Sequence, residues 1–197
     1  MNENEQIKRL LTAIAFTNDQ VAYKELFLLL HSRLKQFAYS ILKSQEEAEE
    51  LVSDLFIRIW AKREELPAIN SPLLYFFTSV KHLAFNRLKK QKRQQNSSPE
   101  EWLVQLHSIY FDPEQLMMTE EMMRQIRQAV NSLPPRCRII FKLVKEDGLK
   151  YREVAELLQL SIKTIEAQMA IALRRLGKCM HLEVKTTPAF HISTKNT

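Results

Sequence analysis

Tyr151 through Arg175 reads YREVAELLQLSIKTIEAQMAIALRR, and the spacing of its apolar residues decides the fold. Val154, Ala155 and Leu158 share one face of a short helix. Ser161 is a strong N-cap for a second helix, because its hydroxyl accepts from backbone N–H groups that a first turn leaves free. Leu160 and Ile165 take the two positions of a hydrophobic staple across that cap. Ile162, Ile165, Met169, Leu173 and Leu176 then recur at helical spacing as an inward stripe. A short helix, a turn of about three residues and a capped second helix make a helix-turn-helix. Small Ala155 lets the two helices approach closely.

The second helix leaves Lys163, Glu166, Ala167, Ala170 and Arg174 on its outer face. Lys163 and Thr164 lie in its first turn, where side chains and free amides meet phosphates and base edges. Glu166 suits the amino group of a cytosine in the major groove. Arg174 and Arg175 suit phosphates. An ordinary helical hairpin with a solvated outer face is the competing explanation of the pattern alone.

Upstream, Met122, Ile126, Val130 and Leu133 mark a helix in a module that starts near Leu116. Pro134 and Pro135 end it, and Arg136 to Glu146 makes another. That helix closes at Asp147-Gly148, where glycine takes the left-handed cap conformation. Residues 93–115 differ in character. Gln-Gln-Asn-Ser-Ser-Pro at 94–99 breaks helix, and the apolar residues after it have no clean period. This stretch reads as a flexible linker. The tail, 181–197, loses periodicity and contains Pro188.

The N-terminal half carries three main helices and a short one before them. Leu26, Leu30, Leu34, Phe37 and Ile41 form one stripe, from about Val21 to Leu42. Ser44, with Glu47 three residues on, starts the next helix in a capping-box pattern. Its stripe is Ala48, Leu51, Val52, Leu55, Phe56, Ile59 and Trp60. The same helix bears Glu46, Glu47, Glu49, Glu50 and Asp54 and no base before Arg58. Acids favour a helix start, yet on a basic chain this face also suits a protein partner better than DNA. Pro67 and Pro72 bracket a loop. The third helix, Leu73 to about Lys90, turns Phe76, Phe77, Val80, Ala84 and Leu88 inward. Its end is basic, with Lys81, Arg87, Lys89, Lys90, Lys92 and Arg93. Bases of a single strand stack on rings while lysines neutralise the backbone, so Tyr75, Phe76 and Phe77 are candidates, at least two of them as core.

Composition excludes other classes. Only Gly148 and Gly177 are glycines, so no phosphate-cradling loop or dinucleotide fingerprint can be built. Cys137 and Cys179 have no metal-ligand spacing and read as reduced thiols. His31, His82, His107, His181 and His191 are scattered, so no zinc or other metal is expected. Met1 to Lys8 is polar, and no run reaches the roughly 18 apolar residues of a membrane span. A cytoplasmic protein without membrane insertion is expected. The excess of 29 basic over 23 acidic residues fits a polyanion partner.

Taken in order, these segments resemble the extracytoplasmic-function group of bacterial sigma factors, over roughly residues 20–180. Ala48 to Trp60 is similar to the family's A-E-D-x-x-Q-D-x-F-x-x-x-W segment, and Leu73 to Lys90 to its promoter-melting helix. Leu133 to Arg138, Gly148 to Ala155 and Leu160 to Glu166 are similar to its fourth conserved region. The resemblance implies an all-α protein of two small helical domains. Residues 1–92 bind core RNA polymerase and recognise and melt the −10 element. Residues 93–115 link them to 116–180, whose helix-turn-helix reads the −35 element. Glu49, Glu50, Asp54, Ile57 and Trp60 would dock on the clamp helices of the largest polymerase subunit. The loop from about Glu64 to Ser71 would hold a flipped −10 base. Tyr75, Lys81, His82, Asn86, Lys89 and Lys90 would contact the −10 strand. Lys163, Thr164, Glu166, Ala167, Ala170, Arg174 and Arg175 would contact −35 DNA, while the same module meets the flap of the second-largest subunit. An anti-sigma partner is implied, and no cofactor. Two departures stand out: Lys81-His82 replaces the usual basic-Asn pair, and Ser53 replaces the frequent Gln. A free-standing helix-turn-helix regulator is the alternative. A nuclease acting through the carboxylates of 46–54 is disfavoured, since they share one helix with no histidine or lysine near in sequence.

Overall fold

Helix α1 (Glu3–Thr17) begins the fold, followed by α2 (Gln20–Leu42) and α3 (Gln45–Ala61). In the computed structural model, which describes residues 3–91 and 120–179, both later helices start on side-chain caps. Asp19 Oδ1 accepts from the amides of Val21 and Ala22 at 2.8 and 3.0 Å, and Ser44 Oγ accepts from that of Glu47 at 3.2 Å. These bonds satisfy donors that a first turn cannot pair internally. A 3-10 helix, Arg63–Ala68, leads to α4 (Pro72–Gln91). The N-terminal helix is longer than its polar opening suggests, because Ile7, Leu10, Leu11 and Ile14 supply a buried stripe. The loop expected before Pro72 is likewise more ordered, with Leu66 of its 3-10 helix buried.

Helices α2, α3 and α4 pack together, with α1 laid against α2 and the 3-10 helix. Aromatic residues fill their centre. Phe56 lies edge-on to Phe27 at 4.9 Å and is stacked with Phe76 at 6.0 Å, while Phe37 meets Phe77 at 5.1 Å. Phe76 and Phe77 are fully buried and Tyr75 is partly exposed, which divides the three rings as expected.

The second body comprises α5 (Glu120–Asn131), α6 (Pro135–Lys145), α7 (Tyr151–Leu158) and α8 (Ile162–Cys179). Helix α8 packs on α5, α6 and α7, through Ile165, Met169, Ala172 and Leu176, all buried. Ile162 departs from the predicted inward stripe: it is 45% exposed, because the first helical position lies at the rim of the packed face. The linker at 93–115, the tail at 181–197 and the module start near Leu116 lie outside the described residues, as does the side chain of Met122.

The two bodies touch, a feature the sequence does not disclose. Helix α4 packs against α7. At the corner after α6, Asp147 is buried. Arg33 of α2 donates from Nε to Asp147 Oδ1 at 3.2 Å and from NH2 to the Asp147 carbonyl at 2.5 Å. Arg33 also pairs with Glu3 of α1. Lys142 Nζ donates to Gln36 at 2.7 Å. Gly148 follows with φ +69°, and a Cβ there would sit 3.2 Å from Glu3 Oε2. Only glycine combines that left-handed backbone with so close an approach.

Candidate nucleic-acid and polymerase interfaces

Helix α7 opens with Glu153 Oε2 accepting from the Lys150 amide at 2.8 Å. It ends at Gln159, whose φ of +56° lets the Leu160 amide reach the Ala155 carbonyl at 2.9 Å. Ser161 then caps α8, its Oγ accepting from the Thr164 amide at 3.0 Å. This closes the turn and fixes which face of α8 points outward. Lys163, Glu166, Ala167, Arg174 and Arg175 are exposed, and Ala170 is half-buried. The Thr164 hydroxyl is turned back, 2.8 Å from Ser161 Oγ, so it is engaged with the cap. Two cations at one end of the face, one at the other and small alanines between them form a surface whose charge and low relief are of the kind that suits close approach to a nucleic-acid groove.

In the first body, Tyr75, His82, Asn86, Lys89 and Lys90 are exposed along α4. Lys81 is not. It is buried and donates from Nζ to the Leu157 carbonyl at 2.8 Å. Leu157 lies in the last turn of α7, where carbonyls lack helical partners and the dipole is negative. Burial pushes the Lys81 ammonium below its ordinary value. In this arrangement Lys81 is covered by α7, which must part from α4 before that side chain can meet a DNA strand.

The α3 residues expected at the polymerase are placed differently from one another. Ile57 is 65% exposed. Trp60 is half-buried, its ring edge-on to Tyr23 at 5.0 Å with the Arg63 guanidinium 5.3 Å from its centroid. Glu49 lies 2.8 Å from His31 and 3.0 Å from Lys35. The Lys35 hydrogen bond, aided by His31, holds its carboxyl below the ordinary value. Glu50 and Asp54 pair with Arg87 of α4 at 2.9 and 2.7 Å. A groove of about 630 Å³ runs between α3 and α4, with Asp54, Arg58, Asn86, Arg87, Lys89 and Lys90 in its walls.

Sequence reading missed Arg87 and Arg33 as organising residues. Arg87 stood inside the basic run, but its two partners lie more than thirty residues away, beyond any local pattern. Among the described residues no group of His, Cys, Asp or Glu could hold a metal ion, and no helix is long and apolar enough to cross a membrane.

Two protein-family models match the chain, Sigma-70 region 2 over residues 26–94 and Sigma-70, region 4 over residues 123–176. Together they cover more than half of it. The chain is 23% identical to the ECF RNA polymerase sigma factor SigW of Bacillus subtilis, over 77% of this chain and 84% of that one. It is also 23% identical to the ECF RNA polymerase sigma factor SigK of Mycobacterium bovis, over 83% of this chain and 88% of the relative. Among solved structures, the sigma factor RpoE of Bartonella quintana, in complex with the anti-sigma factor NepR, superposes with a TM-score of 0.51 at 21% identity. It covers 82% of this chain and 98% of its own.

Proposed function

This chain belongs to the sigma-70 family, as an ECF sigma factor that directs core RNA polymerase to promoters and initiates transcription, and from that premise we propose which of its surfaces do so. The outer face of α8, Lys163, Thr164, Glu166, Ala167, Ala170, Arg174 and Arg175, reads the −35 element in the major groove. The exposed part of α4, Tyr75, His82, Asn86, Lys89 and Lys90, takes the −10 strand. Lys81 joins it once α7 has moved. Glu49, Glu50, Asp54, Ile57 and Trp60 of α3 dock on the clamp of the largest subunit, and the second body also meets the flap of the second-largest. Residues 1–92 and 116–180 act as the two working domains. The polymerase performs the chemistry and this chain none, in the cytoplasm where promoters are. An anti-sigma partner is proposed from the complex in which the Bartonella relative was solved.

The observation that carries the −35 assignment is the exposed cationic face of α8, set by the Ser161 cap. Run-off transcription with core polymerase on a promoter library tests the whole reading: start sites that depend on this chain are expected. Lys163→Glu is expected to lower promoter-dependent transcription on the order of tenfold or more, the effect of one lost charged base or phosphate contact, with core binding retained. Loss of core binding instead refutes the role given to that face. Tight promoter binding by the isolated chain at physiological salt supports a stand-alone regulator.

A further inference from the structure

Arg87 stands between two surfaces that the proposed function assigns to different partners. It lies on α4, one residue from Asn86 and near Lys89 and Lys90, on the wall of the α3–α4 groove. Its guanidinium faces α3. NH1 donates to Glu50 Oε2 at 2.9 Å and NH2 to Asp54 Oδ2 at 2.7 Å. Both ends of the fork are thus occupied by carboxylates of the polymerase-facing helix. A guanidinium fork engages carboxylates or a phosphate in the same bidentate way, so it cannot serve both at once.

We propose that Arg87 couples polymerase docking to strand capture: Glu50 and Asp54 hold it in the free chain, and it passes to a phosphate of the promoter strand when a basic surface of the polymerase takes those carboxylates. The inference rests on the assignment of Glu50 and Asp54 to the polymerase. Three observations support the exchange. The side chains of Glu50 and Asp54 are 68% and 45% exposed, against 24% for Arg87. An incoming cation can therefore reach the carboxylates, and pairs this exposed are weak enough to trade. Arg58, Lys89 and Lys90 share the groove with Arg87, so a phosphate entering it meets a cationic cluster. Asp54 also lines that groove, where its charge repels a phosphate until another cation neutralises it. Docking therefore releases a cation and silences an anion at one place. Linkage makes the effect reciprocal, so bound strand tightens polymerase binding by the same factor.

A double-mutant cycle on the full chain tests this without polymerase. The probe is a fluorescein-labelled oligothymidylate strand, read by anisotropy at fixed salt. Glu50→Gln with Asp54→Asn is expected to tighten strand binding on the order of tenfold. Arg87→Met, which keeps the aliphatic stem in place, is expected to abolish most of that gain in the doubly neutralised background. In the wild-type background it is expected to change strand binding little, since Arg87 is already engaged. An equal loss in both backgrounds overturns the proposal. A second arm uses core polymerase. Strand is expected to tighten core binding by the wild-type chain and not by Arg87→Met, which in the absence of strand binds core at least as tightly as wild type. Weaker core binding by Arg87→Met, with the strand effect intact, assigns Arg87 to scaffolding only and overturns the proposal. A chain that binds no core at all defeats the proposed function, while the free-chain cycle still returns its own answer.

Discussion

At the scale of single residues, burial sets what the ionisable groups can do. Cys137 is buried with Sγ 3.2 Å from the Gln168 carbonyl, and burial raises its thiol above the ordinary value, with Arg175 pulling weakly the other way. A raised folded pKa means the thiol contributes its stability below the unfolded value and loses it as the pH climbs toward the folded one. In a Cys179→Ser background, Cys137 is therefore expected to resist a thiol reagent until the second body opens, and Cys137→Ala is expected to flatten the alkaline loss of stability. Labelling of the native protein at the rate of a free thiol places Sγ at the surface and contradicts the packing. The opposite sign holds at Glu49. Its lowered carboxyl contributes above the ordinary carboxylate value, and the contribution is lost as the pH falls through the folded one. Neither shift is readable from sequence, because each depends on groups brought from other helices.

At the scale of elements, most of the architecture is legible beforehand. Tyr151–Leu158 and the Ser161 cap are where the apolar spacing puts them, since local periodicity and capping use only neighbours within one or two turns. The departures from the sequence pattern follow from the same logic. The acid-rich start of α1 masks a stripe whose burial depends on α2 and the 3-10 helix, and Ile162 matches the period but sits at the edge of the contact. The turn between α7 and α8 stores a small strain, because Gln159 occupies a left-handed conformation that costs a side-chain-bearing residue about 1–2 kcal/mol. Glycine there relieves the strain and loses part of the gain to unfolded-state entropy. Gln159→Gly is therefore expected to stabilise the second body by about 0.5–1 kcal/mol, read as a higher midpoint in urea. Ser161→Ala, which removes the cap, is expected to cost about 1 kcal/mol in the same assay. A gain in stability from that deletion removes the cap from the account of α8.

At the scale of the whole molecule, the decisive contacts join residues far apart in sequence. Arg33 and Asp147 are 114 positions apart. Periodicity therefore predicts two bodies without predicting that they touch, and Lys81 appears as an open DNA contact when α7 covers it. Asp147 is almost completely enclosed, and removing its partner leaves a buried charge that Lys142 only partly compensates. Breaking a buried pair from one side costs about 3–5 kcal/mol, so Arg33→Ala is expected to detach the second body and enlarge the radius of gyration in X-ray scattering. An unchanged radius at unchanged stability contradicts that role for the pair. Glu3 shares Arg33 with Asp147, which makes the first helical turn part of the seam. Deleting the opening residues, or fusing a bulky tag directly ahead of them, therefore disturbs a corner deep in the other half, and purification handles for this chain belong at the opposite terminus.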